Sequence, residues 1–324
     1  MVTLQELQWA KEKLSPHIIE TPVVRMEILD ALMGCRVYLK LENIQRTNSF
    51  KIRGALNKML SMRPEELKNG VVAASSGNHG KGVAFVAELL GVKATIVVPE
   101  STPNIKVEGI QSYGAEIVKC PYEKRHEVAG KLSLDHGYAL IHPYDDEAII
   151  AGQGTIGLEL IEQLPEVDQV VVPIGGGGLI GGIATAVKLT APHVKVIGVE
   201  PACMPRYTKS LEAGERVLLE PAHSIADAIL TLQPGAVNFP IVQKYVDHVV
   251  TVPEEEIPDG STTLLTAGKI SAEFSSAIVL AAALHGRLPV KPEDRVCFVI
   301  SGGNIDPADI VRQMAGSDAV SDQT

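Results

Sequence analysis

Four short stretches of the chain carry side chains or bare backbone able to hold and activate a small anionic molecule. In RTNSFKIRGA, residues 46–55, Lys51 follows Ser49, which reads as a helix N-cap. Its amine could act as nucleophile or base, and an exposed helix lysine beside Arg53 is the alternative. In AASSGNHGKG, residues 73–82, two serines and an asparagine stand at a strand-to-helix turn, where free amide donors suit a carboxylate and ordinary N-capping is the competing use. In VVPIGGGGLIGG, residues 171–182, four consecutive glycines end a β-branched run and open a helix near Gly178. Glycine gives up the most chain entropy on ordering, so four together imply close backbone approach or positive φ. In VISGGNID, residues 299–306, Ser301 closes another strand.

The glycine run satisfies a dinucleotide fingerprint: Gly176, Gly178 and Gly181 form G-x-G-x-x-G after a strand, and Glu200 ends the next strand where a ribose-binding acid would stand. A nicotinamide-dependent (NAD) oxidoreductase is therefore one reading. Two features oppose it. The motif lies in the second half of the chain after several βα units, and Gly175 and Gly177, at positions the fingerprint leaves free, are glycine too. Successive amides of this kind can curl around a compact dianion, helped by the helix dipole, and a single phosphate monoester fits that description.

These stretches must be held by a scaffold, and from about residue 70 the chain alternates short Val/Ile-rich runs with segments of helical period. GVVAAS precedes NHGKGVAFVAELLG, KATIVVP precedes PNIKVEGIQSYG, and AEIVKC precedes YEKRHEVAGKLSLDHG. A second set follows in DQVVVPI, VKVIGVE, HVVTVP and DRVCFVIS, the last leading to a helix over DPADIVRQMAG. Such repetition predicts an α/β fold of two doubly wound open sheets, with the tail GSDAVSDQT frayed. Residues 54–142 form the smaller, mobile domain, and residues 1–53 and 143–324 the larger, cofactor-binding one.

The 324 residues carry 29 basic and 39 acidic side chains, a net charge of -10, with no basic cluster to track a nucleic acid, so a small metabolite is the expected partner. Cys35, Cys120, Cys203 and Cys297 lie far apart, as buried thiols of a reduced compartment would. The N-terminal segment reads as an amphipathic helix without a signal-peptide core, and no stretch approaches a membrane span, which places the protein in the cytoplasm.

SFKIRGA, SSGNHG, GGGGL and SGGN, in this order and spacing, closely resemble the fold type II pyridoxal-phosphate enzymes, in the tryptophan synthase beta-like fold. Within them the nearest branch is serine/threonine dehydratase and serine racemase. The resemblance runs from about Thr21 to Asp306 and is reinforced by LENIQRT and IIAGQGTIGLEL. It implies pyridoxal 5'-phosphate as cofactor, Lys51 as the residue joined to its aldehyde, and Phe50 beside its ring. It makes Gly175, Gly176, Gly177, Gly178 and Leu179 the phosphate cup, Asn78 the partner of the phenolic oxygen and Ser301 that of the pyridine nitrogen. Ser75, Ser76, Gly77, Asn78 and His79 take the substrate carboxylate.

The implied reaction is β-elimination, since neutral Ser301 at the ring nitrogen does not enforce protonation there. The products are a 2-oxo acid and ammonia. Threonine and serine are the default substrates; hydroxyaspartate, phenylserine or a hydroxylated diamino acid remain open. Ser76 stands where racemising members carry serine, so racemase activity is a second possibility. The resemblance also implies a homodimer, and with the chain ending soon after SGGN no regulatory domain or isoleucine inhibition is expected.

The chain departs from the family pattern at three places. Asn48 stands where the family has glycine, a change that could alter the lysine loop. Phe274 in AEFSSA, after a retained Glu273, could reshape the substrate side. In VEPACMPR, Glu200 matches the first ligand of the family's divalent-cation site, but Arg206 replaces its aspartate, so no metal site is predicted and Glu200 reads as solvated. Arg125 either reaches polar substrate groups or is a solvent-facing helix charge.

Overall fold

Runs of β-branched residues and alanine become parallel strands, and the intervening segments become helices that cover them. The computed structural model describes residues 1–306 and 308–312. The helix read over DPADIVRQMAG lies only partly within these residues, and the tail GSDAVSDQT lies outside them. Ten strands are present among the described residues: β1 (Val23–Arg25), β2 (Arg36–Leu41), β3 (Val71–Ala74), β4 (Ala94–Pro99), β5 (Glu116–Cys120), β6 (Ala139–Leu140), β7 (Gln169–Pro173), β8 (Lys195–Pro201), β9 (His248–Val252) and β10 (Arg295–Ile300).

They form two sheets. The six-stranded one has the order β1-β2-β10-β7-β8-β9, parallel except that β1 runs antiparallel to β2 at the edge. The four-stranded one has the order β5-β4-β3-β6 and is wholly parallel. Alternation along each strand divides the apolar residues between two faces. In the larger sheet Val171, Ile197 and Phe298 pack on the helix Phe274–Leu284, while Val170, Val196 and Cys297 pack on the opposite face with the helices Glu147–Gln163 and Gly178–Thr190. In the smaller sheet Val71, Ala73 and Ile96 meet the helices Lys51–Leu60 and Asn78–Leu90, and Val72, Ala74 and Val97 meet Ala129 of Arg125–His136.

The helix Lys51–Leu60 ties the two sheets together. Ile52 and Leu56 join the core of the smaller sheet, while Gly54 lets the helix lie against Ile149 and Gln153 of Glu147–Gln163, where a Cβ would come within 3.0 Å of either. Covering both faces of each parallel sheet leaves the strand ends as the place for loops and ligands. No helix among the described residues is long and apolar enough to cross a membrane.

Candidate active site

Lys51 is the first residue of its helix, and the approach to it is stitched to the end of β10. Ser49 bridges Gly302, the Phe50 amide donates to Ser301 O at 3.1 Å, and the Gly303 amide donates to Asn48 O at 2.9 Å. Ser49 is not the N-cap that the sequence suggested: Phe50 holds that position without a side-chain cap, and the Ser49 hydroxyl is buried with no partner. Asn48 adopts φ 56°, the left-handed conformation that asparagine tolerates best after glycine, so the loop accepts it without rearrangement. The Lys51 amine donates to Pro143 O at 2.9 Å, just past β6, and stands 5.0 Å from the centre of the Phe50 ring. Burial pushes its pKa down to about 8, against a smaller opposing pull from Glu273.

The end of β3 supplies the facing wall. Gly77 precedes the helix that begins at Asn78, and its amide donates to Ser75 Oγ at 3.3 Å. Ser76 is half-buried and makes no hydrogen bond with the described residues. Gly82 brings this helix against the Lys51 backbone, where a Cβ would stand 3.3 Å from Ile52 N. Asn78 donates from Nδ2 to both oxygens of Glu273, at 2.8 and 3.0 Å, while Asn304 Nδ2 donates to Asn78 Oδ1 at 2.7 Å. Burial raises the Glu273 carboxyl to about 7, the Asn78 bond opposing it. His79 Nε2 lies 2.8 Å from Ile141 O; a carbonyl only accepts, so that nitrogen bears the proton. Burial, and then the nearby Lys51, hold His79 down to about 3, leaving a neutral ring anchored to Ile141.

The glycine run forms a cradle at the end of β7. Gly177 takes φ 101° and caps the helix Gly178–Thr190. A Cβ on it would lie 2.0 Å from Tyr207 Oη, and one on Gly176 would lie 2.4 Å from the Tyr144 ring. Loop carbonyls are occupied: Gly176 O accepts from Tyr207 Oη and Gly235 N, each at 3.0 Å, and Gly177 O accepts from Gly181 N. The amides of residues 175–180 donate to nothing among the described residues. Two buried acceptors without partners, Gln153 Oε1 and Asn238 Oδ1, border the cradle.

A primary amine, a polar turn and a run of unspent amides thus stand at strand ends. The family model for "Pyridoxal-phosphate dependent enzyme" matches residues 14–302. The chain belongs to that family. The enzyme is 44% identical to the L-threonine ammonia-lyase of Thermotoga maritima over 308 residues, 94% of this chain and 76% of that one. It is 40% identical to the serine racemase of Arabidopsis thaliana over 303 residues, 92% of this chain and 91% of that one. Among solved structures, the T.th. threonine deaminase superposes with a TM-score of 0.89 at 43% identity, covering 94% of this chain and 99% of that one.

The residues present fit the family's cofactor. Unspent amides over a cradle with no room for side chains suit a phosphate, and a buried amine of lowered pKa suits an aldehyde. Several neighbours of the enzyme's site have no role that the sequence reveals. Glu273 reads there only as a retained acid, and Asn304 carries no signal of its own inside VISGGNID. Tyr144, Gln153, Tyr207 and Asn238 have no local signal either, since each reaches the cradle from a different element.

Two expectations are corrected, those for Glu200 and Cys203. Glu200 is not solvated: it is fully buried and accepts from Tyr207 N, Thr208 N and Thr208 Oγ1 at 3.1, 2.8 and 2.8 Å, capping the helix Arg206–Ala213. Phe274 sits in the core cluster with Ile229, which in turn borders Gly175 of the cradle. Arg125 stacks over the Tyr122 ring at 4.0 Å and donates to Tyr122 O in an exposed contact, in keeping with its reading as a helix charge. Cys203 is exposed, unlike the other three cysteines.

Proposed function

We propose that the enzyme is an ammonia-lyase (dehydratase) acting on small β-hydroxy L-amino acids, L-threonine and L-serine first, and releasing a 2-oxo acid and ammonia. The observation that carries this reading is the buried Lys51 amine, its pKa brought down to about 8, bonded to Pro143 O next to Tyr144 of the cradle, on a helix packed against the one that follows the Ser75–His79 turn. The names of the threonine ammonia-lyase and threonine deaminase relatives support it.

Bound pyridoxal phosphate supplies an aldehyde that takes up the amino group and a ring that withdraws electrons from the substrate α-carbon. In this reading the amides of Gly175–Leu179 hold its phosphate, Phe50 packs beside its ring, Asn78 faces its phenolic oxygen and Ser301 its ring nitrogen. Backbone and hydroxyl donors of Ser75, Ser76, Gly77, Asn78 and His79 orient the substrate carboxylate. Lys51, as a free amine with its pKa lowered to about 8, takes the α-proton. The β-hydroxyl leaves as water, taking up a proton in exchange for the one Lys51 has gained, and one water then hydrolyses the released product to the 2-oxo acid and ammonia. Glu273 and Asn304 fix Asn78 from two sides. Residues 54–142, which include the whole smaller sheet, close over the substrate and exclude solvent water.

A racemase side activity is supported by the half-buried Ser76 hydroxyl, which is free to carry a proton. Ser76→Ala is expected to lower racemisation more than ammonia release. A homodimer in the cytoplasm completes the reading, checked by light scattering and cell fractionation. The main test is a panel of β-hydroxy amino acids assayed for ammonia, with borohydride trapping of the cofactor mapped to Lys51 by mass spectrometry. Bound cofactor without ammonia from any of them would overturn the lyase reading.

A further inference from the structure

Two arginines are fully buried, and they are treated differently. Arg53 faces two carboxylates, Glu42 and Glu159. Arg206 has no carboxylate within 4.0 Å among the described residues. Its guanidinium donates only to main-chain oxygens: Nε to Gly175 O at 3.0 Å, Nη1 to Met204 O at 2.9 Å, and Nη2 to Ile174 O. Glu200, the nearest acid to influence it, spends its oxygens on Tyr207 and Thr208. Burial accordingly lowers the pKa of Arg206, whereas paired Arg53 is raised. A buried cation whose nearest acid acts only through space is partly compensated at best, and an anion close by would complete the site.

The place where an anion would complete it lies on the other side of the same peptides. In a trans peptide the carbonyl and the following N–H point in opposite directions, and the described chain has no cis bonds. Arg206 holds the carbonyls of Ile174 and Gly175, and Tyr207 holds that of Gly176. The amides of Gly175, Gly176 and Gly177 are thereby turned away from the helix Arg206–Ala213 into the cradle. We propose that Arg206 is the fixed counter-charge of the cofactor phosphate, acting through the carbonyl side of the glycine loop as a positioning residue. Its guanidinium polarises the peptides whose amides grip the phosphate and supplies the positive charge that a dianion in a buried cup requires.

The test reads affinity, not turnover, and so stands apart from the lyase assay. Apo-protein is titrated with pyridoxal 5'-phosphate and, separately, with pyridoxal, which lacks the phosphate. Arg206→Gln is expected to reduce the preference for the phosphorylated form by about tenfold or more while leaving pyridoxal affinity unchanged. Arg206→Lys, which keeps the charge and loses the fork, is expected to keep the preference within about threefold. Inorganic phosphate should raise the Tm of the wild-type apo-protein and not that of Arg206→Gln. The proposal is overturned if Arg206→Gln keeps the full preference, or if both ligands weaken equally, as a purely structural role would require. Should Arg206→Gln not fold, Arg206→Lys decides alone: a larger loss of preference than threefold rules out charge as the cause.

Discussion

Two residues apart on one helix, Lys51 and Arg53 serve opposite ends. Arg53 lies in a closed group of four charges with no net sum. Its Nε and Nη2 each meet Glu42 at 2.8 Å, Nη2 also meets Glu159 at 2.9 Å, and Lys40 donates to Glu159 at 2.7 Å and to Thr21 O at 2.6 Å. Arg53 and Glu159 both shift toward the charged form: against burial, Arg53 is raised by Glu42 and Glu159, and Glu159 is lowered by Arg53 and Lys40. In the cleft the shifts run the other way. The Lys51 amine has one carbonyl partner and is pushed down to about 8, and Glu273 is pushed up to about 7, burial being the largest cause in each case. Saturated pairing locks the helix that carries the lysine, and withheld pairing leaves burial free to lower the pKa of its amine.

The largest effect should come from breaking the reactive side. Lys51→Ala is expected to cut ammonia release by at least ~10²–10⁴-fold, the range of a lost acid–base group, and to abolish borohydride trapping, with no loss of apo-protein stability in thermal melts. Breaking the saturated side reverses the pattern. Arg53→Met strands Glu42 and Glu159 and should cost about 3–5 kcal/mol in urea unfolding. Adding Glu42→Gln and Glu159→Gln should recover part of that loss, which would separate charge imbalance from lost packing.

Glu273 sharpens the contrast through pH. Its folded pKa of about 7 exceeds the ordinary 4.5, so between those values the folded chain keeps a proton that the unfolded chain has released. Its contribution is thus intact below about pH 4.5 and lost as pH rises to about 7, amounting to at most about 3 kcal/mol at ~1.4 kcal/mol per unit. Glu273→Gln should remove that decline, so that its apo-protein melts above the wild type at pH 7.5 and level with it at pH 4.5. The smallest effect is expected at the loop that joins the two regions. Asn48→Gly should change stability by only a few tenths of a kcal/mol, while Asn48→Val, forced to a positive φ, should lose about 1–2 kcal/mol in the same unfolding assay.

The glycine run, the Lys51 segment and the SSGNHG turn were legible because each is a local pattern whose conformation is set by its own residues and immediate neighbours. The alternation of strand and helix was legible for the same reason, and it anticipated two open sheets. The antiparallel edge strand β1 escaped notice, being only three residues long. Glu200 illustrates the opposite limit. As a lone acid at a strand end it read as solvated, and only the return of the chain at Tyr207 and Thr208 shows what it caps.

By itself the sequence determined the kinds of chemistry available: an amine at a helix start, bare amides in a row, small polar donors at a strand end. The tertiary structure alone decided which charges are matched and which are left wanting. That Arg53 is saturated and Arg206 faces only carbonyls follows from contacts spanning up to 106 residues, and no local pattern encodes the partner of a buried charge. Desolvation acts on the assembled environment, so the lowered pKa of Lys51 is a property of the packing around it.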